Sequence, residues 1–572
     1  MIEDVYEPLA KYRDEFKERF ARLTREKFKA LTAASRVDVP ANRKLVAAIG
    51  KLEGEADAQR FRKSCFGWLA TLCFVGGVGA VIGAVVVHDA NPGSAGYWVV
   101  GAAVGIALGI VMLLRFNKAA ELLADLESSI ASKKKMAWEQ MAPLNRLYTW
   151  DITVKLIEAT VPRLEYDPYF TADRLASLRT QFGWDDGFND GKSIIFAQSG
   201  VINGSPFVFG QYLDMEWGSK TYEGTKEISW SEWVMGADGK RHCIRRYETL
   251  YGHVTKPIPV YSEQKMLVFG NDAAPALSFS RQPSGLSGDD AGLFEKLKKK
   301  WRLSRLKAYS RDLTDDSNFT LMNNHEFETW FHAKNRDNEV EFRVLFTPVA
   351  QTQMLNLMKD HEVGYGDDFT FMKQRKINVL VSQHLNKAVI DTDPARFRHW
   401  DYDAAFSNFV QFNERYFKDA YFSLAPLLAI PVYQQMRTHE DIWKGVVGQK
   451  ESSFWEHEAI ANYHGDEKFR HPSCITRSIL KTSVTKREDG ESTVAVTAYG
   501  YRGEDRVDYD EVYGGDGRLH RVPVKWTEYL PVQRTSNMGI TERSNPSELF
   551  RQRVAVSRES ANRRSIISYL VA

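Results

Sequence analysis

The sequence predicts an α+β protein built on a two-helix transmembrane hairpin, with flanking amphipathic helices and a large mixed, mainly antiparallel-sheet cytoplasmic region. Three observations carry that prediction. Cys65–Val87 and Tyr97–Leu114 are uncharged apolar runs separated only by His88–Gly96. Charged stretches with helical apolar stripes stand on either side. Most of the remaining 572-residue chain alternates aromatic and β-branched segments with clusters of Gly, Asn and Asp, the texture of strands and turns.

The first run has about 23 residues and the second about 18, each enough to cross roughly 30 Å of hydrocarbon as a helix. In lipid a helix satisfies its own backbone, so an all-apolar surface suits a membrane and not water. Arg60, Arg62 and Lys63 precede the pair, and Arg115, Lys118, Lys133, Lys134 and Lys135 follow it, whereas the connecting loop has no Lys or Arg. Both ends are therefore expected on the cytoplasmic side. Asn91-Pro92-Gly93 predicts a tight reversal. Gly79 and Gly83 on one helix, with Gly101, Gly105 and Gly109 on the other, recur every four residues and are candidates for close helix packing, within the hairpin or between chains.

Six segments follow from the pattern: 1–62 amphipathic helices, 63–116 the hairpin, 117–150 a juxtamembrane helix, 151–310 a β-rich domain ending in a basic helix, 311–400 an α+β domain, and 401–572 a helix followed by a β-rich domain. In the first, Leu9, Tyr12, Phe16, Phe20, Leu23, Phe28 and Leu31 form one stripe. That stripe is expected either to pair with the helix after the hairpin as a short coiled-coil-like stalk or to cover the globular part. A break is expected at Val39-Pro40.

Charge and cysteine usage exclude other classes. Charged residues make up 26% of the chain and the formal charge is +2, so nothing global points to nucleic acid. Cys65 and Cys73 lie in the first run, while Cys243 and Cys474 are far apart, which suggests no disulfide framework. The amino terminus lacks a basic segment followed by an apolar one, so no cleavable signal is expected.

Within 292–307, Lys296, Lys298, Lys299, Lys300, Trp301, Arg302 and Arg305 make a basic amphipathic helix suited to an anionic membrane surface. Beyond it, Glu326–Phe331 reads as a turn of helix, Val340–Phe346 as an alternating strand, Pro348 as the start of a helix, and Phe369–Val381 as a strand pair about a basic turn. Phe422–Val432, interrupted by Pro426 and Pro431, reads as a buried loop or interfacial segment.

His325-Glu-Phe-Glu-Thr-Trp-Phe331, Val340–Phe346 with Thr347-Pro348 after it, and Phe369–Val381 resemble the F-E-x-x-F, strand ending in Leu-Thr-Pro, and hairpin pattern of an uncharacterised bacterial family, the domain of unknown function numbered 3137, sometimes labelled galanin. The resemblance covers residues 60–400. Phe346 stands where that pattern has Leu, and the chain after Asp401 extends beyond it. The resemblance implies a bacterial inner-membrane protein with two spans and both termini cytoplasmic. It implies no activity, because the family has none to pass on.

Chemistry is sparse. His457, His464, His471 and Cys474 carry zinc-type donors, with Glu458 as a base, and a membrane-attached hydrolase would use this cluster. Its spacing matches no standard module, since Ala461 stands where a zincin helix has its second His. Asp186–Ser193 lacks the first Gly of a phosphate loop and places Phe188 on a calcium-ligand position. Asp505, Asp508, Asp510 and Glu511 read as solvated carboxylates along a strand. No nucleophile elbow is present. The reading is a membrane-anchored interaction or assembly protein without a cofactor, its partners the bilayer and a protein or further copies of itself; a channel or transporter subunit is the remaining alternative.

Overall fold

The computed structural model describes residues 7–90, 95–286 except Gly236 and Asp238, Arg302, Arg305, 320–434, and 451–571 except Asp489 and Arg558. It is a mixed α+β structure in two compact units, one of Met1–Phe20, Trp150–Thr392 and Glu414–Ala572, the other of Ala21–Thr149 and Asp393–Asn413.

In the second unit the apolar runs belong to two long helices, Val39–Ala90 and Ala95–Asn145. Arg36 turns the chain at φ 55°, and Asp38 Oδ1 then accepts from the Ala41 N–H at 3.0 Å, capping the first helix, with Pro40 in its opening turn. The helices lie side by side. A Cβ on Gly105 would sit 3.1 Å from Gly77 Cα and 3.2 Å from the Cys73 carbonyl, and one on Gly83 would meet the Trp98 ring at 2.8 Å. Gly109 rests on Phe74, while Gly79 and Gly101 face open space. Three of the five expected glycines thus pack the hairpin, and Gly77 joins them. Beyond the apolar zone, Lys134–Glu53 at 2.7 Å and Arg60–Glu127 at 2.8 Å bridge the pair, exposed contacts that solvent screens and that contribute little. Leu72, Val75, Ile82, Val100, Leu108 and Leu114 stay exposed, as lipid-facing side chains do. By length and composition both helices can cross a membrane.

The amino-terminal stripe packs on aromatic side chains. In the first unit Phe20 stacks on Phe417 at 4.3 Å, and Tyr12 lies 4.9 Å from Phe422, ring centre to ring centre. In the second, Phe28 meets Phe406 at 5.1 Å and Tyr402 at 5.6 Å. Tyr402, Phe406, Phe417 and Phe422 all belong to the helix Tyr402–Leu428. Each fully buried Phe removes enough apolar area from water to contribute on the order of 2–3 kcal/mol. The same helix runs through Pro426 to Leu428, so 422–428 is helical where the sequence suggested a loop.

Two antiparallel sheets fill the first unit. In the larger, β1 (Leu164–Tyr166), β2 (Lys192–Ile202), β3 (Ser205–Met235), β4 (Arg241–Gly270), β5 (Ser278–Arg281), β6 (Phe369–Gln374) and β7 (Ile377–Ser382) are ordered β1-β2-β3-β4-β7-β6-β5, so strands from either side of position 310 share one sheet. The smaller has β8 (Ile479–Glu488), β9 (Glu491–Tyr513), β10 (Leu519–Thr541), β11 (Ser560–Arg563) and β12 (Ile566–Leu570) in the order β11-β12-β10-β9-β8. Segments that read as separate strands are single long ones. β3 pairs with β4 from Phe207↔Phe269 out to Met235↔Arg241, and β9 with β10 from Tyr513↔Leu519 to Glu491↔Thr541. Past their sheets, both pairs continue as two-stranded ribbons.

Residues 339–345 correct another expectation: Glu339–Leu345 is helix, not strand. Asn338 caps it by accepting from the Glu341 N–H, and Phe342 and Leu345 are buried while Val340 and Val344 are exposed. The alternation Val340, Phe342, Val344, Phe346 fits a strand, but burial follows the helical period. The helices His325–Phe331 and Pro348–Lys359 and the β6–β7 hairpin lie where expected. Of the basic segment only Arg302 and Arg305 are described. Arg302 donates to the Ser284 carbonyl at 3.0 Å, and Lys296, Lys298, Lys299, Lys300 and Trp301 lie outside the described residues.

Candidate functional site

The helix Phe454–His464 lies between the two sheets. One side, with Trp455 and Ala459, joins the core of Phe170, Leu178, Ile194, Val208 and Val268; the other, with Ile460 and Ala461, joins Leu480, Val494, Val496 and Met538. A helix covered on both sides normally has an apolar sequence, yet Glu456, His457 and Glu458 are buried in it. Each charge therefore needs a partner.

Glu456 accepts from the Phe170 N–H at 2.9 Å and from Arg564 at 3.1 Å, and Arg564 also donates to Gln198 at 2.6 Å. Glu458 accepts from the Ile194 N–H at 2.9 Å and from Lys481 Nζ at 3.3 Å. Burial pushes the Glu458 carboxyl up to about 7, against the pull of Lys481. His457 Nε2 lies 3.0 Å from Ser452 Oγ, which also donates to Glu542, and burial lowers the imidazole to about 4. Serine sits between the imidazole and the carboxylate, and His457 Nδ1 is buried with no hydrogen-bond partner among the described residues. A hydrolytic relay needs the imidazole in the middle and a group orienting its far nitrogen.

The expected donor cluster does not converge. His464 Nε2 is 2.9 Å from Ser568 Oγ, half-buried His471 turns to Ser473 at 2.8 Å, and Cys474 Sγ lies beside Thr476 and Ser478. Among the described residues, no three metal-type donors come together.

A relay-like arrangement occurs instead at residues the sequence did not flag. His384 Nδ1 is 2.7 Å from Asp368 Oδ2, and its Nε2 is 3.0 Å from Ser423 Oγ. Asp368 precedes β6 and His384 follows β7, so the hairpin brings them together, and Ser423 arrives from a distant helix. No local spacing announces this. The Ser423 hydroxyl donates to the Asp419 carbonyl at 2.8 Å, Tyr365 stacks on the imidazole at 4.2 Å, and Ser423 is 3% exposed. A nucleophile must reach its substrate. This one faces the protein, and the network ties the β6–β7 hairpin to the helix Tyr402–Leu428.

What does open to solvent is a cleft of about 750 Å³ where the ribbons leave their sheets, lined by Asp190, Met215, Tyr261, Lys481, Tyr499 and Tyr501, with Pro531 and Val532 on the strand beside the last two. Tyr261 OH donates to Thr476 at 3.1 Å, and the Tyr501 ring meets Trp217 edge-on at 5.1 Å. Lys481 Nζ is held by the Asn189 carbonyl at 2.6 Å and by Glu458. The wall is aromatic and apolar with a few fixed polar groups, a lining that binds and orients.

No protein family, curated protein or solved structure matches the chain. Fold and site together define a mixed α+β protein with two helices fit to cross a membrane and an aromatic cleft at its antiparallel sheets.

Proposed function

We propose that the chain is an interaction protein anchored in a bacterial inner membrane by two spans, its termini and soluble mass cytoplasmic, and that it holds a protein partner or another copy of itself. The observation that carries this reading is the cleft: its tyrosines offer rigid contact area at low entropy cost, and its lysine is already held by the Asn189 carbonyl and Glu458. Confinement to a membrane raises the effective concentration of a weak interface without new contacts. The positive flanks of the hairpin support the orientation, and the resemblance of residues 325–381 to the bacterial family without known function agrees with it. A hydrolase centred on His457–Cys474 is supported less, because those side chains turn to separate partners.

A photo-crosslinking residue in place of Tyr499, with another in place of exposed Ser219 as control, tests the proposal in intact cells. The expected result is a discrete adduct from position 499, of twice the chain's mass or of the chain plus one partner, that is lost in Y501A. Adducts equally diffuse at both positions would overturn it.

A further inference from the structure

The β3–β4 ribbon extends beyond the β9–β10 ribbon that supports it. Among the described residues, the last ties between them are Gly515 N–H donating to Glu248 at 2.6 Å and Gly515 set against the Trp230 ring. Past that point residues 231–235 pair only with 241–245, over roughly 16 Å of ribbon at about 3.3 Å per residue. All ten are exposed except half-buried Val234. Among the described residues nothing covers either face of this stretch, and an uncovered two-stranded ribbon is at best marginally stable in water, so its surface chemistry is informative.

The register sorts that chemistry by face. Ser229↔Tyr247, Ser231↔Arg245, Trp233↔Cys243 and Met235↔Arg241 put eight side chains on one side. Trp233, Met235 and Tyr247 are 68%, 64% and 73% exposed, and none of the eight is acidic; Glu227, paired with Thr249, is the next residue along this face. Arg245 lies 5.6 Å from the Tyr247 ring centre and reaches Ser229 Oγ at 3.3 Å. Among the described residues 231–235 and 241–245, the acidic group is Glu232, on the opposite face and neutralised by Arg246 at 3.1 Å.

We propose that this face of the ribbon tip docks on anionic lipid headgroups. Trp and Tyr favour the depth where one end of the ring is apolar and the other wet, and two arginines beside them match lipid phosphates in charge and in fork geometry. The inference rests on the reading that this chain is held at a membrane; it adds a second contact with the same bilayer, made by sheet instead of helix.

Full-length protein is reconstituted in nanodiscs of phosphatidylcholine alone or with phosphatidylglycerol. A polarity-sensitive thiol probe is placed on exposed Cys243 in a C65S/C73S background, Cys474 being buried. In anionic discs the probe is expected to shift to the blue, resist aqueous iodide and be quenched by spin-labelled lipid. That lipid quenching falls roughly tenfold for each arginine reversed in R241E and R245E, follows loss of the attracting charge, and survives the matched reversal R506E on the other ribbon. W233S keeps the electrostatic response but places the probe shallower, so the proposal does not depend on one variant folding. Equal exposure to iodide in both disc types overturns tip docking while leaving anchoring intact. Protection in detergent that grows with protein concentration also overturns it, in favour of a second copy as occupant. Failure of the protein to enter discs at all overturns the anchoring reading and this inference with it.

Discussion

Gly224 of one ribbon and Pro523 of the other meet so closely that a Cβ on the glycine would lie 2.2 Å from the Pro523 carbonyl oxygen. Gly252 repeats the device against Val522, at 2.9 Å. The ribbons stack through these gaps, with Leu250, Val522 and Val524 buried between them. Gly224→Ala must push backbone from backbone and is expected to destabilise the first unit by about 1–3 kcal/mol. Ser219→Ala, on an exposed position of the same strand, should change stability by less than about 0.5 kcal/mol. Thermal unfolding of the purified protein in detergent reads both.

The membrane hairpin makes a parallel prediction. Gly105→Leu forces a side chain against Gly77 and Cys73, whereas Gly101→Leu points into open space. The first is expected to lower the detergent unfolding midpoint by several degrees and the second to leave it unchanged, since small residues allow close packing only where the backbones touch. Equal effects at both sites would contradict the observed helix faces.

Adjacent buried groups on the helix Phe454–His464 give opposite pH dependences. The Glu458 carboxyl stands near 7 when folded and near 4.5 in a free chain, so the folded state holds the extra proton between those values. Its contribution to stability is complete below about 4.5 and is lost as pH rises through about 7. His457 is lowered from 6.5 to about 4, so its contribution is complete above 6.5 and is lost as pH falls through about 4. Glu458→Gln is expected to remove the loss on the alkaline side and His457→Gln the loss on the acid side, in midpoints measured from pH 4 to 8.

Arg336 holds two carboxylates inside the protein, Glu328 at 2.8 Å and Glu339 at 2.6 Å, and also donates to the Thr320 carbonyl. Arg336→Met keeps the volume but strands buried negative charge. The expected cost is about 3–5 kcal/mol, and Arg336→Met with Glu328→Gln recovers part of it. Chemical denaturation of the single and double variants checks this.

The two long apolar helices, the amino-terminal stripe and most helix starts are legible in the sequence because composition, period and capping residues are local. Other features hide behind locally misleading signals. Gly218, Gly224 and Pro257 fall between segments that read as strands, yet Gly224, with Gly252, admits a second ribbon, Gly218 lies against Val260 of β4, and Pro257 lies where β4 pairs, among the described residues, with β3 alone and a missing N–H is tolerated. Pro426 reads as a helix stop, but the buried surroundings of Tyr421–Leu428 keep the helix going. The candidate site was the least legible part. His457, His464, His471 and Cys474 are neighbours in sequence but not in chemistry, whereas Asp368, His384 and Ser423 become neighbours only through the hairpin and a distant helix. The cleft likewise collects its tyrosines from both sheets.

Membrane anchoring with the soluble mass inside the cell is tested most directly by adding protease to sealed vesicles of both orientations. In right-side-out vesicles the account predicts an intact chain, cleavable at most between the spans. In inverted vesicles it predicts loss of everything but the hairpin. Removal of the large carboxy-terminal part from right-side-out vesicles, or release of the intact protein by alkaline carbonate without detergent, would contradict it.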